Sequence, residues 1–535
     1  MRRRPREITA GEAAMAVAGG PARLVRDASR RTDMVGDAEA RAIEELRLPP
    51  RLLPFEPPAG LHATLRQYQR DGAAWLSRAF RFEIGACLAD DMGLGKTVQT
   101  IAAYLRLAED QRAGVWPSAL IACPSSLVDN WRSEITRFAP DAPLRIYHGG
   151  GRELPADVSG VVITTHGILR NDERLAEAGE WALVVLDEAQ HAKNPRTQLA
   201  RSLRRLPAAR RVALTGTPVE NSLMDLWALL DWTSPELFAS AKRFRNQWAD
   251  PIEKGDLAAA RQLKSALQPM LLRRTKADPA VAPDLPARIC TDHYVELTAM
   301  QRALYEKVVG GLLATAASSS GLDRHASVLS LITAAKQICD HPGLWAGDAQ
   351  QELARASEKV QLLDELLDTI TLSGGAALVF TQYVRMGRLL EQHLASKGRE
   401  TLFLHGSSDP FERAQLVARF QDETRPAPVF LLSLRAGGSG LNLTRADHVI
   451  HFDHWWNPAV EDQASDRAHR IGQRRTVQVH RLLTRGTVEE RVQHLLDAKR
   501  RTAAAVTGLD SEDVAIAEQS NDQLRALFEL GGPLG

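Results

Sequence analysis

The chain has 535 residues, 44% apolar and 25% charged, with a net charge of +1, a balance that describes an ordinary globular protein and excludes a disordered or membrane-embedded one. The length admits about three or four domain-sized units, and with no positive excess any nucleic-acid surface has to be a local patch. Cys87, Cys123, Cys290 and Cys339 form no CxxC pair, which argues against a zinc site or a disulfide framework, and neither a membrane span nor an apolar leader is expected, so a reducing cytoplasm fits best.

Residues 1–60 run from Met1-Arg2-Arg3-Arg4-Pro5 to a Pro-rich LPPRLLPFEPP and read as a tail or the remnant of an upstream module. A solvated charge run explains the basic start better than a nucleic-acid contact. LRQYQRDGAAWL follows, with Leu65, Tyr68, Gly72 and Leu76 at helical spacing. Its Gln69 carries a donor and an acceptor suited to an adenine edge, or is a plain surface glutamine.

An apolar strand at Ile84–Leu88 leads into Asp90-Asp91-Met92-Gly93-Leu94-Gly95-Lys96-Thr97 and then into helix-forming residues. This is a phosphate cradle. Glycines let the backbone approach an anion, amides converge at a helix N-terminus, Lys96 supplies charge and Thr97 a hydroxyl for Mg²⁺. The first glycine of GxxxxGK[ST] falls at Asp90, so the bare pattern is incomplete.

Strands at 118–123, 144–148 and 161–165 and a helix at 126–138 continue the rhythm of a parallel sheet. Leu183–Leu186 then deliver Asp187 and Glu188 at a strand's C-terminal end, where ligands of such sheets sit. Asp187 suits a metal reached through water, and Glu188 suits the orientation and deprotonation of an attacking water. Val212–Leu214 is a further strand, ending in Thr215-Gly216-Thr217-Pro218, two of whose hydroxyls are placed to sense a γ-phosphate.

Between 222 and about 357 the alternation gives way to helical patterns, Ser222–Leu230 and Ala258–Leu272 among them, followed by the basic LLRRTK and, at the end, AAKQICDHP. Arg273, Arg274 and Lys276 are phosphate contacts or a solvated helix end. Cys339 and His341 lack companion ligands and read as structural.

From Gly374 strands return at 377–380, 401–404, 429–432, 448–452 and 477–483, with helices at 384–396, 410–421 and 458–470, so a second α/β lobe is expected. Gly437-Gly438-Ser439-Gly440 follows a strand where backbone can approach phosphates. Asn457 and Pro458 suit a helix start, and Gln463, Arg467 and Arg470 fall on one helical face. Two fixed-charge guanidiniums there suit a γ-phosphate, or form a solvent-facing stripe.

The segments LRQYQRDGAAWL, DDMGLGKT, CPSSLVDNW, ITTHGIL, DEAQ, LTGTPVEN, LLRRTK, QICDHP, VFTQY, SLRAGGSGLNLTRADHVIHFDHWWNP and QASDRAHRIGQ, spread over residues 65 to about 490, closely resemble the Swi/Snf-type ATPases of helicase superfamily two, as a bacterial member. In that family an acidic residue is common where Asp90 stands, and Gln190 replaces the histidine of DEAH.

The resemblance implies an α/β fold of two RecA-like parallel-sheet lobes with a helical insertion. The expected divisions are a tail (1–60), a first lobe (61–232), an insertion and bridge (233–357), a second lobe (358–500) and a C-terminal helical tail (501–535). ATP would bind with Gln69 on adenine and Asp91, Met92, Gly93, Leu94, Gly95, Lys96 and Thr97 around its phosphates. Thr97 and Asp187 would hold Mg²⁺, and Glu188 would activate water. Gly438, Arg467 and Arg470 would come from the second lobe. Ser125, Thr164, Thr165, Thr381, Gln382, Ser433 and Asn442 would line a path for double-stranded DNA, flanked by Arg273, Arg274 and Lys276. The expected activity is that of a monomeric DNA translocase, nucleoid-associated in the cytoplasm, displacing DNA-bound protein such as RNA polymerase without separating strands. A strand-separating DNA or RNA helicase and a non-hydrolysing DNA-binding scaffold are the alternatives.

Overall fold

Short apolar runs bounded by polar turns become parallel strands buried on both faces. The computed structural model describes residues 44–494 and 521–530 apart from short stretches, the longest being 347–352 and 435–440. Residues 1–43 of the expected N-terminal tail, 501–520 of the expected C-terminal one, Thr217 and the glycine cluster with Gly438 lie outside the described residues.

The chain divides into two compact units between residues 283 and 284. The first holds β1 (Ala86–Leu88), β2 (Ala119–Cys123), β3 (Leu144–Tyr147), β4 (Val161–Thr165), β5 (Leu183–Leu186), β6 (Arg211–Leu214) and β7 (Leu271–Leu272), in the order β3-β4-β2-β5-β6-β1-β7, every pairing parallel. Successive residues point to opposite faces. Ile121, Val185 and Val212 therefore enter a core with Trp75, Tyr104 and Trp131, while Leu120, Val184 and Ala213 enter another with Leu169, Leu203 and Trp232.

The second unit holds β8 (Arg288–Val295), β9 (Ala377–Thr381), β10 (Thr401–Leu404), β11 (Val429–Ser433), β12 (His448–His451) and β13 (Val477–Thr484), again all parallel, in the order β10-β11-β9-β12-β13-β8. Both units are thus α/β with a parallel sheet, as expected.

The stretch expected as one insertion, 233–357, divides between the units. Its first part packs Phe244, Trp248 and Leu263 against Trp227 within unit one. In unit two, helices Ala299–Ser318 and Gly321–Asp340 pack Tyr305, Val309, Leu331 and Ile338 against Val488 and Phe528. Two strands inside that stretch escaped the sequence reading. The helix expected to reach Leu272 stops at Leu267, because Pro269 follows, and Leu271–Leu272 pair with β1 instead. β8 is a polar, partly exposed edge strand whose composition, RICTDHYV, hides its pairing with β13 from Arg288↔Val477 to Val295↔Thr484. Among the described residues no helix is long and apolar enough to cross a membrane.

Candidate functional site

In the first sheet β6 lies between β1 and β5, so the phosphate loop and the Asp187-Glu188 pair leave the same sheet end about 10 Å apart, two strand spacings. Gly93 (φ 82°) and Gly95 (φ 76°) take the left-handed conformation that the loop requires, and Gly95 caps the helix Lys96–Asp110. The Leu94 carbonyl is fixed from behind by Tyr68 Oη (3.1 Å), Gln69 Nε2 (3.4 Å) and Gln99 Nε2 (3.2 Å). Lys96 Nζ donates to the Asp90 carbonyl at 2.6 Å, and Thr97 sits half-buried in the first turn. Both ends of the Gln69 amide are engaged within the protein. Its Oε1 accepts from Arg66 N at 3.0 Å, its Nε2 serves Leu94, and the residue is 7% exposed.

Asp187 is half-buried, with Oδ1 accepting from Glu188 N (2.9 Å) and Oδ2 from the indole Nε1 of fully buried Trp131 (2.8 Å). Burial first, then the charge of Glu188, raises its pKa to about 7, against the opposing pull of Trp131 and Lys96. Glu188 adopts φ 49°, one of two non-glycine positive-φ residues among those described, a strain typical of working sites. Its carboxylate accepts from Gln190 Nε2 at 2.5 Å, and Gln190 Oε1 accepts from Thr215 Oγ1 at 2.9 Å, so the end of β6 is wired to the acid. His166 Nε2 lies 3.0 Å from the Asp187 carbonyl, and burial lowers its pKa to about 4.

Thr97 and Asp187 offer hard oxygen donors. Among the described residues no group of three or more His, Cys, Asp or Glu could hold a metal. A cation here would therefore take few protein ligands, which fits Mg²⁺ completed by phosphate and water.

In the second unit the helix from Pro458 ends at Ser465 and tightens into turns, so Gln463, Arg467 and Arg470 do not share the expected helical face. Side chains pull the end inward: Ser465 Oγ meets His451 Nε2 at 3.0 Å, and His469 Nε2 meets the Pro286 carbonyl at 2.8 Å. Arg467 and Arg470 still converge, on the segment after the glycine cluster. Arg467 O accepts from Leu443 N (3.0 Å), and Arg470 Nη1 donates to Leu441 O (3.1 Å). Arg467 is 2% exposed and Arg470 half-buried.

The residues expected along DNA separate into two groups. Ser125 and Asn442 are exposed, and Arg273 and Lys276 half-buried. Thr164, Thr165, Thr381 and Ser433 are buried: Thr164 Oγ1 bonds the Tyr147 carbonyl, Thr165 caps the helix His166–Asn171, and Thr381 bonds Asp453. Gln382 is engaged at both ends, accepting from Lys336 Nζ and donating to His454 O, each at 2.9 Å. Arg274 pairs with fully buried Asp90. Internal partners thus occupy the side chains of Thr164, Thr165, Thr381, Gln382 and Arg274, whereas Ser433 Oγ is buried with no hydrogen-bond partner among the described residues. The sequence reading missed Trp131, Gln99 and the Asp90–Arg274 pair; the acid in a glycine's place and a glycine inside a helix, Gly72, were the available signals.

The SNF2-related domain matches residues 68–344, more than half of the chain, and the helicase conserved C-terminal domain matches 358–472. The chain is 41% identical over 476 residues to YwqA of Bacillus subtilis (strain 168), whose name describes an ATP-dependent helicase/translocase, covering 87% of this chain and 51% of YwqA. It is 33% identical to the ISWI chromatin-remodeling complex ATPase ISW1 of Saccharomyces cerevisiae, covering 89% of this chain and 43% of ISW1. It therefore spans about half of these relatives or less. Among solved structures it is similar to the SWI2/SNF2 ATPase core of Sulfolobus solfataricus in complex with dsDNA, at 38% identity, 89% and 99% coverage of the two chains and a TM-score of 0.44. With a phosphate loop and an acid pair at one sheet end, and with both domain matches in series, this chain belongs to the SNF2-related, Swi/Snf-type ATPase family.

Proposed function

We propose that the chain is an ATP-driven translocase on double-stranded DNA that displaces or remodels DNA-bound protein without separating strands. The carrying observation is the common sheet end of the Lys96 loop and the Asp187-Glu188 pair, with Thr215 at the end of the intervening β6 tied through Gln190 to Glu188. In this reading Asp91 to Thr97 cradle the phosphates and Lys96 leaves the Asp90 carbonyl to take one of them. Asp187 and Thr97 would hold Mg²⁺, which would supply positive charge beside the phosphates when bound. Glu188, held by Gln190, orients the attacking water and accepts its proton. Gly438, Arg467 and Arg470 serve the γ-phosphate. Gln69 reads adenine only by exchanging its two protein bonds for the base. Ser125, Arg273, Lys276 and Asn442 meet DNA phosphates, while Thr164, Thr165, Thr381 and Gln382 keep their internal partners and Ser433 stays buried.

A hydrolysis assay with and without duplex DNA tests the activity, and displacement of a triplex-forming strand against opening of a fork tests the mode. Duplex-stimulated turnover with triplex displacement and an intact fork is expected; fork opening moves the protein to the strand-separating class. Arg470→Ala lowers turnover by ~10³-fold with ATP affinity little changed, and a loss of DNA binding instead reassigns this arginine.

A further inference from the structure

The phosphate loop is laced to the segment by which the chain leaves the first sheet. Cys87 N donates to Met270 O, Ala89 N to Leu272 O and Asp91 N to Arg274 O, at 2.7, 2.7 and 3.0 Å, so the β1–β7 ladder continues into the loop itself. Side chains close the same seam. Asp90 Oδ1 accepts from Arg274 N (3.1 Å) and Nε (2.9 Å), while Oδ2 takes Arg274 Nη2 and Gln99 Nε2. Asp91 Oδ2 accepts from Lys276 N at 2.9 Å. Arg274 also reaches the Tyr68 carbonyl and lies 5.3 Å over the Tyr68 ring.

Gly72 makes the room. A Cβ there would stand 1.8 Å from Gln99 Oε1 and 2.6 Å from Arg274 Nη2. On the opposite side Lys96 Nζ donates to the carbonyls of Asp90 (2.6 Å) and Asp91 (3.4 Å), the two residues whose carboxylates grip 274–276.

We propose that this clasp transmits occupancy of the phosphate loop to residues 273–276, through which the chain runs toward the boundary at 283, and that Arg274 is the positioning residue that holds this segment to the loop. The inference rests on the reading that the loop binds ATP. A bound phosphate draws Lys96 off the two carbonyls and orders the loop amides. The acceptors of Arg274 N and Lys276 N belong to that loop, so ordering one side orders the other. A lysine at 274 keeps the charge but loses the planar fork that serves Asp90, Gln99 and Tyr68 together.

Hydrogen–deuterium exchange on the full chain, with and without Mg²⁺ and a non-hydrolysable ATP analogue, tests this in the unmutated protein. At analogue concentrations 100 times Kd, amides that open only from the empty loop gain up to ~100-fold protection, and at least ~10-fold is expected at both 89–97 and 270–276. In Arg274→Lys the 89–97 response persists and the 270–276 response falls below ~3-fold. Protection at 89–97 alone in the unmutated chain overturns the clasp, whereas none at 89–97 overturns the ATP reading instead. An Arg274→Lys protein that responds like the unmutated one, or that instead binds duplex DNA more weakly with a salt slope reduced by about one, removes Arg274 from the role. Should Arg274→Lys fail to fold, Asp91→Ala, which deletes the tie to Lys276 at a half-buried loop position, must lose protection at 276 for the proposal to stand.

Discussion

An apolar strand ends near a carboxylate in both units, with opposite outcomes. Asp187, directly after β5, is half-buried and held by one indole and one amide. Asp453, two residues after β12, is wholly buried, and its oxygens are taken up by Thr381 Oγ1 and the backbone N of Gln382. Lysines repeat the contrast. Lys96 is half-buried against loop carbonyls, whereas Lys359 is enclosed between Asp340 (2.9 Å) and Glu489 (2.8 Å), all with fully buried side chains. Burial lowers the pKa of Lys336, opposed by the acids around it, and raises that of Asp340, where Lys359 opposes the shift and Asp453 and Glu489 add to it. In unit one the sheet-end acid and the loop lysine stay partly exposed, whereas in unit two Asp453, Lys359, Asp340 and Glu489 are enclosed.

Matched substitutions in the two units should have opposite effects. Lys96→Ala lowers duplex-stimulated turnover by ~10³-fold or more, the scale of losing a preorganised charge at a reaction centre, with a thermal midpoint close to the unmutated one. Lys359→Ala does the reverse, costing about 3–5 kcal/mol of stability by stranding buried acids, as denaturant unfolding will show. If Lys359→Ala unfolds no more easily than Lys96→Ala, the contrast is wrong.

Trp131→Phe keeps the ring in the core and deletes the N–H to Asp187, a bond to a charged group worth ~1.5–3 kcal/mol. The expected result is a rise of roughly tenfold or more in the Mg²⁺ needed for half-maximal nucleotide binding, with folding intact. An unchanged Mg²⁺ requirement makes Trp131 a packing residue only.

The smallest effect concerns acid. His448 Nδ1 contacts His480 Nε2 at 3.1 Å, and His480 Nδ1 contacts His293 Nε2 at 3.0 Å, linking β12, β13 and β8. Burial lowers all three pKa values, that of His480 to about 4, although Asp447 and Asp292 pull His448 and His293 the other way. Neutral imidazoles are favoured in the fold, so their contribution is complete above pH ~6.5 and is lost as the pH falls toward 4, by ~1–2 kcal/mol after solvent screening. His480→Leu should flatten that dependence in unfolding curves at pH 7.5 and 5.

Much of the architecture was legible because buried parallel strands declare themselves as apolar runs, Leu183–Leu186 above all. β7 and β8 were not: one has two residues beyond Pro269, the other is a polar edge. In the site, Gly93, Gly95 and Lys96 were legible because a phosphate loop constrains neighbouring positions. Trp131 was not, since nothing in sequence spacing tells a core tryptophan from one whose N–H meets an acid 56 residues away. Arg274 was read as outward charge, and only Asp90 and Gly72 hinted at its pocket. Arg467 and Arg470 were placed by helical periodicity, which ends when Ser465 and His469 bind inward.

In the function proposed above, Glu188, strained and tied to Gln190, serves hydrolysis and not nucleotide affinity. Binding of a fluorescent ATP analogue and duplex-stimulated hydrolysis, measured side by side for Glu188→Gln, test it most directly. Binding should be unchanged with hydrolysis abolished, and near-full turnover would remove Glu188 from the hydrolytic step.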